Sequence, residues 1–148
     1  MTSQKTYRLY LDNCCFNRPF DSQEQLKIKL ETEAKLHIQN AILNGKYELV
    51  WSYILEFENK QNPYEERRDA IGDWKKYACA FCVENEHIVT YAEILFNKGI
   101  KAKDALHIAC AVDANADFFI TTDKKLINTA IPEIRIINPL IFINELNN

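Results

Sequence analysis

Hydrophobic positions along the chain follow two rhythms in turn. Tyr7 to Leu11 alternates and is rich in β-formers, which predicts a strand ending at Asp12-Asn13. Ser22-x-x-Gln25 has the form of a capping box and opens a long helical pattern. Within it Leu26, Leu30, Ala34, Ile38 and Ile42 fall four apart, along one face, before Asn44-Gly45 closes the helix. Tyr47 to Ser52 predicts a second strand, and Tyr53 to Lys60 a short helix stopped by Asn62-Pro63. Pro63 suits the first turn of a further helix from Tyr64 to about Ala70, broken at Gly72. Trp74 to Cys82 then predicts an apolar, buried helix. Glu86 to Lys98 predicts a helix with Ile88, Ala92, Leu95 and Phe96 inward and Gly99 at its end. Asp104 to Ala114 is the most apolar helical pattern of the chain. Phe118 to Thr121 predicts a buried strand, Lys124 to Ala130 a helix, Glu133 to Ile137 a strand, and Leu140 to Leu146 a last helix behind Pro139. Strands alternate with helices from end to end. The expected fold is therefore α/β, with a central, mainly parallel sheet of four to five strands flanked by helices and joined by right-handed crossovers. No Gly/Ser/Pro-rich linker interrupts the pattern, so residues 1–148 are expected to form a single domain.

Composition acts on this picture by exclusion. Apolar residues at 47% and charged residues at 26% are ordinary globular usage and argue against disorder. With 18 basic against 21 acidic residues, the net charge of −3 excludes a strongly basic nucleic-acid coat or a polybasic membrane binder. The longest apolar run, Tyr77 to Val83, is far too short for a membrane span, and the N-terminus carries no signal-peptide pattern. A soluble, cytoplasmic protein with no membrane partner is expected. Five cysteines without framework spacing predict reduced thiols. The only glycines, Gly45, Gly72 and Gly99, exclude a Walker A loop and a GxGxxG fingerprint.

In an open parallel sheet, ligands bind beyond the carboxyl ends of the strands. Asp12 ends the first strand, Asp123 lies two residues past the Phe118–Thr121 strand, and Asp104 opens the helix after Gly99-Ile-Lys-Ala-Lys103. Glu56 and Glu58 lie on the short helix that leaves the second strand. Taken singly, each acid has an ordinary explanation as a cap, a first-turn acid or a turn residue. Together, several acids at one rim repel one another unless a cation sits among them, and hard divalent cations prefer oxygen ligands. Glu56 and Glu58 are about 200° apart on a helix, so only one points inward, and periodicity does not choose between them.

Four blocks resemble the PIN-domain nuclease family: Tyr10-Leu-Asp12-Asn-Cys-Cys, Trp51-Ser-Tyr-Ile-Leu-Glu-Phe-Glu58, Lys103-Asp104-Ala-Leu-His-Ile-Ala109 and Ala116-Asp-Phe-Phe-Ile-Thr-Thr-Asp123. They stand in the family's order and span nearly the whole chain. The resemblance implies a PIN-like fold and places the family's acidic quartet, as metal ligands, on Asp12, Glu58, Asp104 and Asp123. Its Ser-plus-six spacing, counted from Ser52, favours Glu58 over Glu56. Thr121 matches the hydroxyl residue two before the last Asp, while Asn13 stands where a Thr or Ser is common. The resemblance further implies Mg²⁺- or Mn²⁺-dependent hydrolysis of an RNA substrate. Small single-domain relatives of the VapC-like group are toxins, which implies an antitoxin protein as partner, and a homodimer. Thr121 and Asn13 are then expected to orient ligands or water from behind. Setting the quartet aside leaves 17 acids against 18 bases, a remainder compatible with a phosphate backbone. Arg18, Lys101, Lys103, Lys124 and Lys125 lie in segments near the rim, though each alone reads as a solvated surface charge.

Two other classes compete. An aspartyl phosphatase also puts an Asp after its first strand, but wants a DxD that Asp12-Asn13-Cys14 lacks. A non-catalytic PIN-like module would use the same acids to bind a partner or a metal without turnover. Cys79-Ala-Phe-Cys82 has CxxC spacing inside what reads as an apolar helix, and is read as core. His107, one turn from Asp104, is read as a hydrogen-bonded core histidine within reach of the site. The aromatics Tyr7, Trp51, Trp74, Phe118 and Phe119 are read as core.

Overall fold

The computed structural model describes residues 6–146. Its five strands are β1 (Arg8–Leu11), β2 (Glu48–Ser52), β3 (Ala78–Cys82), β4 (Phe118–Ile120) and β5 (Arg135–Ile137). They form one all-parallel sheet in the order β3-β2-β1-β4-β5. The chain runs outward from β1 to β2 and β3, then returns to place β4 on the other side of β1. The carboxyl end of β1 is therefore the topological switch point, where a parallel sheet opens a crevice. The three central strands read as continuous apolar runs because both their faces are covered: Leu9, Tyr10, Leu11, Leu49, Val50, Trp51, Phe119 and Ile120 are fully buried. Tyr10 stacks on Phe119 at 5.2 Å, which ties β1 to β4 through side chains as well as backbone.

The helices are α1 (Asn13–Asn17), α2 (Leu26–Leu43), α3 (Tyr53–Lys60), α4 (Glu65–Gly72), α5 (Glu86–Asn97), α6 (Ala102–Asp113), α7 (Lys124–Ile127) and α8 (Pro139–Leu146). α2 packs on α8, and α5 on α6. None of the helices is long and apolar enough to cross a membrane. The closing glycines behave as the pattern requires, with Gly45 and Gly99 in left-handed conformations at φ +76 and +102.

Several local expectations are corrected. Trp74 to Cys82 is not a helix: a 3₁₀ turn (Asp73–Tyr77) leads into edge strand β3. An unbroken apolar run has no period of its own, and the open edge of β2 supplied the backbone partners that decided it. Cys79 and Cys82 consequently lie three apart on a strand, one exposed and one buried, so they cannot act as a CxxC pair; all five cysteines are free. The Ser22 capping box does not form. α2 starts at Leu26, behind a turn in which the Gln23 amide donates to the carbonyls of Arg18 and Asp21. Leu26 and Leu30 are exposed while Ala34, Ile38 and Ile42 are buried. A four-residue step overshoots each turn by about 40°, so five such positions drift off one face. Phe96 is exposed for the same reason, standing about 80° round the axis from Ile88.

α2 buries a lysine. Lys35 is 3% exposed, its ammonium 5.4 Å from the ring centroid of Phe16. Burial pulls its pKa down to about 7. The unfolded chain keeps this proton to about pH 10. Folding therefore expels it between about pH 7 and 10, and native stability rises with pH across that window. Lys35→Met is expected to stabilise the protein by about 2 kcal/mol at pH 7, since the isostere leaves no charge to desolvate. Urea unfolding at pH 7 and pH 9 checks this: the gain must shrink at the higher pH.

Candidate functional site

Each strand that borders the switch point delivers a polar residue as it ends. Asp12 leaves β1 in extended conformation and caps α1, its carboxylate accepting from the Asn13 N–H at 2.8 Å. The Asp12 N–H donates to the carbonyl of Ile120 at 2.9 Å, which locks it to the end of β4. There Thr121, fully buried, donates its hydroxyl to Asp12 Oδ2 at 2.8 Å and accepts from the Asp123 N–H at 3.1 Å. One hydroxyl thus fixes the geometry of two acids. Asp123 is exposed and caps α7 by accepting from the Lys125 N–H. Ser52 ends β2 and caps α3 through the Leu55 N–H at 3.2 Å.

α3 resolves the choice that periodicity left open. Glu56 turns outward to a 2.9 Å ion pair with Lys75. Glu58 turns to the rim, accepting from the Asn13 side-chain amide at 3.2 Å and pairing with His107 Nε2 in a short hydrogen bond. Asp104 lies in the first turn of α6, half-buried. Its helix starts at Ala102, two residues earlier than the pattern predicts, so Asp104 is a first-turn acid and not a cap. Burial pushes the Asp104 carboxyl above its ordinary value, and the charges of Asp12, Asp123 and Glu58 push it further, against a smaller opposing pull from His107. Asp12, Glu58, Asp104 and Asp123 therefore share one electrostatic neighbourhood.

His107 is more than a satisfied core histidine. It is 1% exposed, and its Nε2 faces Glu58 and stands 4.0 Å from Asp12 Oδ1. Its Nδ1 is 2.6 Å from the Tyr10 hydroxyl, itself 2.6 Å from Ser52 Oγ. Nε2–H donates to Glu58 whether the ring is neutral or cationic. In the neutral ring the Tyr10 hydroxyl donates to Nδ1; in the cation it accepts from it and turns its proton to Ser52. Burial drags the pKa of His107 down, but the hydrogen bond to Glu58 and the surrounding carboxylates win and hold it above its ordinary value. Burial likewise raises Glu58, and His107 reverses this, leaving its carboxyl below the usual range. The signal in the sequence was the three-residue step from Asp104 to His107; Tyr10 and Ser52 carried none, since only the sheet brings them to it.

Of the basic residues near the rim, Arg18 is committed to Asp21 and Glu31, and Lys103 lies over the ring of Phe57. Cys14 donates its thiol to Asp12 Oδ2 at 3.6 Å, and its Sγ accepts from the Thr122 N–H at 3.4 Å. Among the described residues no three or more His, Cys, Asp or Glu side chains are grouped closely enough to hold a metal ion as they stand. Glu58 is turned onto His107 and Asp12 onto Thr121. The donor set nevertheless fits a hard divalent cation: every candidate ligand is a carboxylate oxygen, and Asp104 faces negative charge that a cation would relieve.

The PIN domain family model matches residues 9–132. No curated protein matches the chain. Among solved structures, VapBC2 from Rickettsia felis, bound to a DNA fragment from their promoter, superposes with a TM-score of 0.53 at 15% identity, over 88% of this chain and 98% of that one. FitAcB from Neisseria gonorrhoeae superposes with a TM-score of 0.58 at 14% identity, over 88% of this chain and 97% of that one. At such identities the likeness is one of fold.

Proposed function

Because the chain belongs to the PIN-domain family, we propose that it is a divalent-metal-dependent ribonuclease, a single catalytic domain that hydrolyses RNA phosphodiesters as the toxin of a toxin–antitoxin pair. An antitoxin protein and a second copy of the chain, as a homodimer, complete the reading. The observation that supports it is Asp104: a half-buried carboxyl in the first turn of α6, its pKa raised by burial and by the charges of Asp12, Asp123 and Glu58. Asp12, Glu58, Asp104 and Asp123 would hold Mg²⁺ or Mn²⁺. When bound, the ion supplies positive charge to the phosphodiester and acidifies the attacking water. The chain's own groups fix the ligands. Thr121 holds Asp12, and through its other contact the backbone of Asp123. His107 and Asn13 hold the two oxygens of Glu58 apart on separate donors.

The test is incubation of the purified protein with a mixed RNA pool in Mg²⁺, in Mn²⁺ and in chelator, beside Glu58→Gln and Glu56→Gln. Cleavage is expected only with metal. Glu58→Gln is expected to lower the rate about a hundredfold or more, the usual loss for a group that organises transition-state charge. Glu56→Gln removes only a surface ion pair, worth under about 1 kcal/mol, and leaves the rate unchanged. A folded protein that cleaves under no metal overturns the reading in favour of the non-catalytic module.

A further inference from the structure

The described surface carries exposed aromatic rings beside the acidic rim, each with a cation over it. The first is Phe57, 49% exposed and next in sequence to Glu58. The ammonium of Lys103, next in sequence to Asp104, stands 5.9 Å from its ring centroid. The second patch holds Tyr64, 60% exposed, and Phe20, 42% exposed. The Arg67 guanidinium lies over both, 4.7 Å from the Tyr64 centroid and 5.3 Å from that of Phe20. It is steadied there by a 2.9 Å bond from its Nη2 to the Phe20 carbonyl and by Asp21 at 3.8 Å.

A ladder of amides joins this second patch to the rim. Asn13 donates to Glu58 at 3.2 Å, Asn17 to the side chain of Asn13 at 3.3 Å, and Asn62 to Asn17 at 3.2 Å. Asn62 in turn accepts from the Tyr64 N–H at 3.1 Å. Three hydrogen-bonded side chains thus span the distance from the candidate ligand to the ring, and they hold the patch in fixed register with it. None of these rings belongs to the hydrophobic core or to the residues packed against it. Clustered, solvent-facing rings usually mark a binding surface.

An occupant must bring flat apolar faces for the rings, negative charge for Arg67 and Lys103, and a scissile group for the acids beside them. Single-stranded RNA meets all three demands. A duplex does not, because its bases are already stacked on one another. We propose that Phe57, and Tyr64 with Phe20, are base-stacking subsites that seat single-stranded RNA against the acidic rim. Arg67 and Lys103 meet its backbone beside the rings.

The inference rests on the ribonuclease reading, and the two can fail separately. Asp104→Asn protein in Mg²⁺ is titrated into a short fluorescein-labelled single-stranded RNA of mixed sequence, and into the same RNA as a duplex, with anisotropy as readout. Tyr64→Ala and Phe57→Ala are each expected to raise Kd for the single strand about tenfold, the usual loss of one stacked base, with unchanged circular dichroism. Phe20→Ala added to Tyr64→Ala is expected to deepen the loss. In the otherwise native chain the same substitutions lower kcat/KM on that RNA by matching factors. Values within twofold of native for both Kd and kcat/KM, in a chain that cleaves RNA, overturn the subsites alone. So does an outcome in which these variants lose only dimerisation or a protein partner while RNA affinity holds. A native chain that neither binds nor cleaves RNA overturns the ribonuclease reading with it.

Discussion

Asp104→Asn is expected to melt at a higher temperature than the native protein in chelator, to gain nothing from added Mg²⁺, and to cleave RNA about a thousandfold more slowly. The three effects have one cause. Burial and the charges of Asp12, Asp123 and Glu58 make the ionised Asp104 less favourable in the folded state than in the unfolded chain. Its folded pKa lies above the ordinary value of 3.8, so its destabilising contribution is full above that folded pKa. As pH falls through the window down to the ordinary value, the proton binds and the penalty disappears. The difference in melting temperature between native and Asn proteins must therefore be largest near neutrality and vanish in acid. A cation that binds only the folded state stabilises in proportion to the logarithm of its concentration, and the Asn protein has lost the carboxylate that makes the cluster attractive to it. Thermal melts across pH, with and without Mg²⁺, read the first two effects independently of catalysis. A lower melting temperature for the variant, with a native response to Mg²⁺, would contradict the electrostatic account even if activity fell.

His107→Ala is expected to destabilise the protein by about 3 kcal/mol, because it removes one partner of a buried charged pair and strands the other. It leaves Glu58 without its main donor and the Tyr10 hydroxyl without Nδ1. The sign of the pH dependence follows from the two shifts. His107, raised, contributes stability that is full below its unfolded pKa near 6.5 and is lost as pH rises through the folded value. Glu58, lowered, contributes stability that is full above its unfolded value near 4.5 and is lost as pH falls. The gap between native and His107→Ala is thus widest in mildly acidic solution and narrows on both sides. Urea unfolding from about pH 4 to pH 8 measures it. His107→Gln supplies an N–H donor without a titrating ring, so it is expected to recover part of the stability and to flatten the alkaline side of the profile.

These residues also show where reading the chain alone succeeds. Asp12 and Asp123 were legible because each sits where an apolar run stops, and Asp123 also because it caps the helix that follows, a contact made two residues from itself. That Asp12 and Ser52 cap helices was seen only in the fold. Gly45 and Gly99 were legible for the same local reason. Glu58 was legible only through the family's spacing, since helical periodicity said no more than that Glu56 and Glu58 diverge. The failures are just as specific. Trp74 to Cys82 was misread because an apolar run without a period takes its form from whatever edge is open to it, and that edge belongs to β2, some thirty residues away in sequence. Leu26, Leu30 and Phe96 were misplaced because a four-residue count is not a helical turn.

The sequence by itself determined the α/β alternation, four of the five strands and which acids fall at strand ends, because burial periodicity, caps and turns are decided by near neighbours. Only the tertiary structure decided that Glu58 faces inward, that His107 joins it to Tyr10 and Ser52, and that the charges of Asp12, Asp123 and Glu58 bear on Asp104. Those facts depend on parallel pairing of β1 with β2 and β4, which brings together groups that stand 42 to 109 residues apart along the chain.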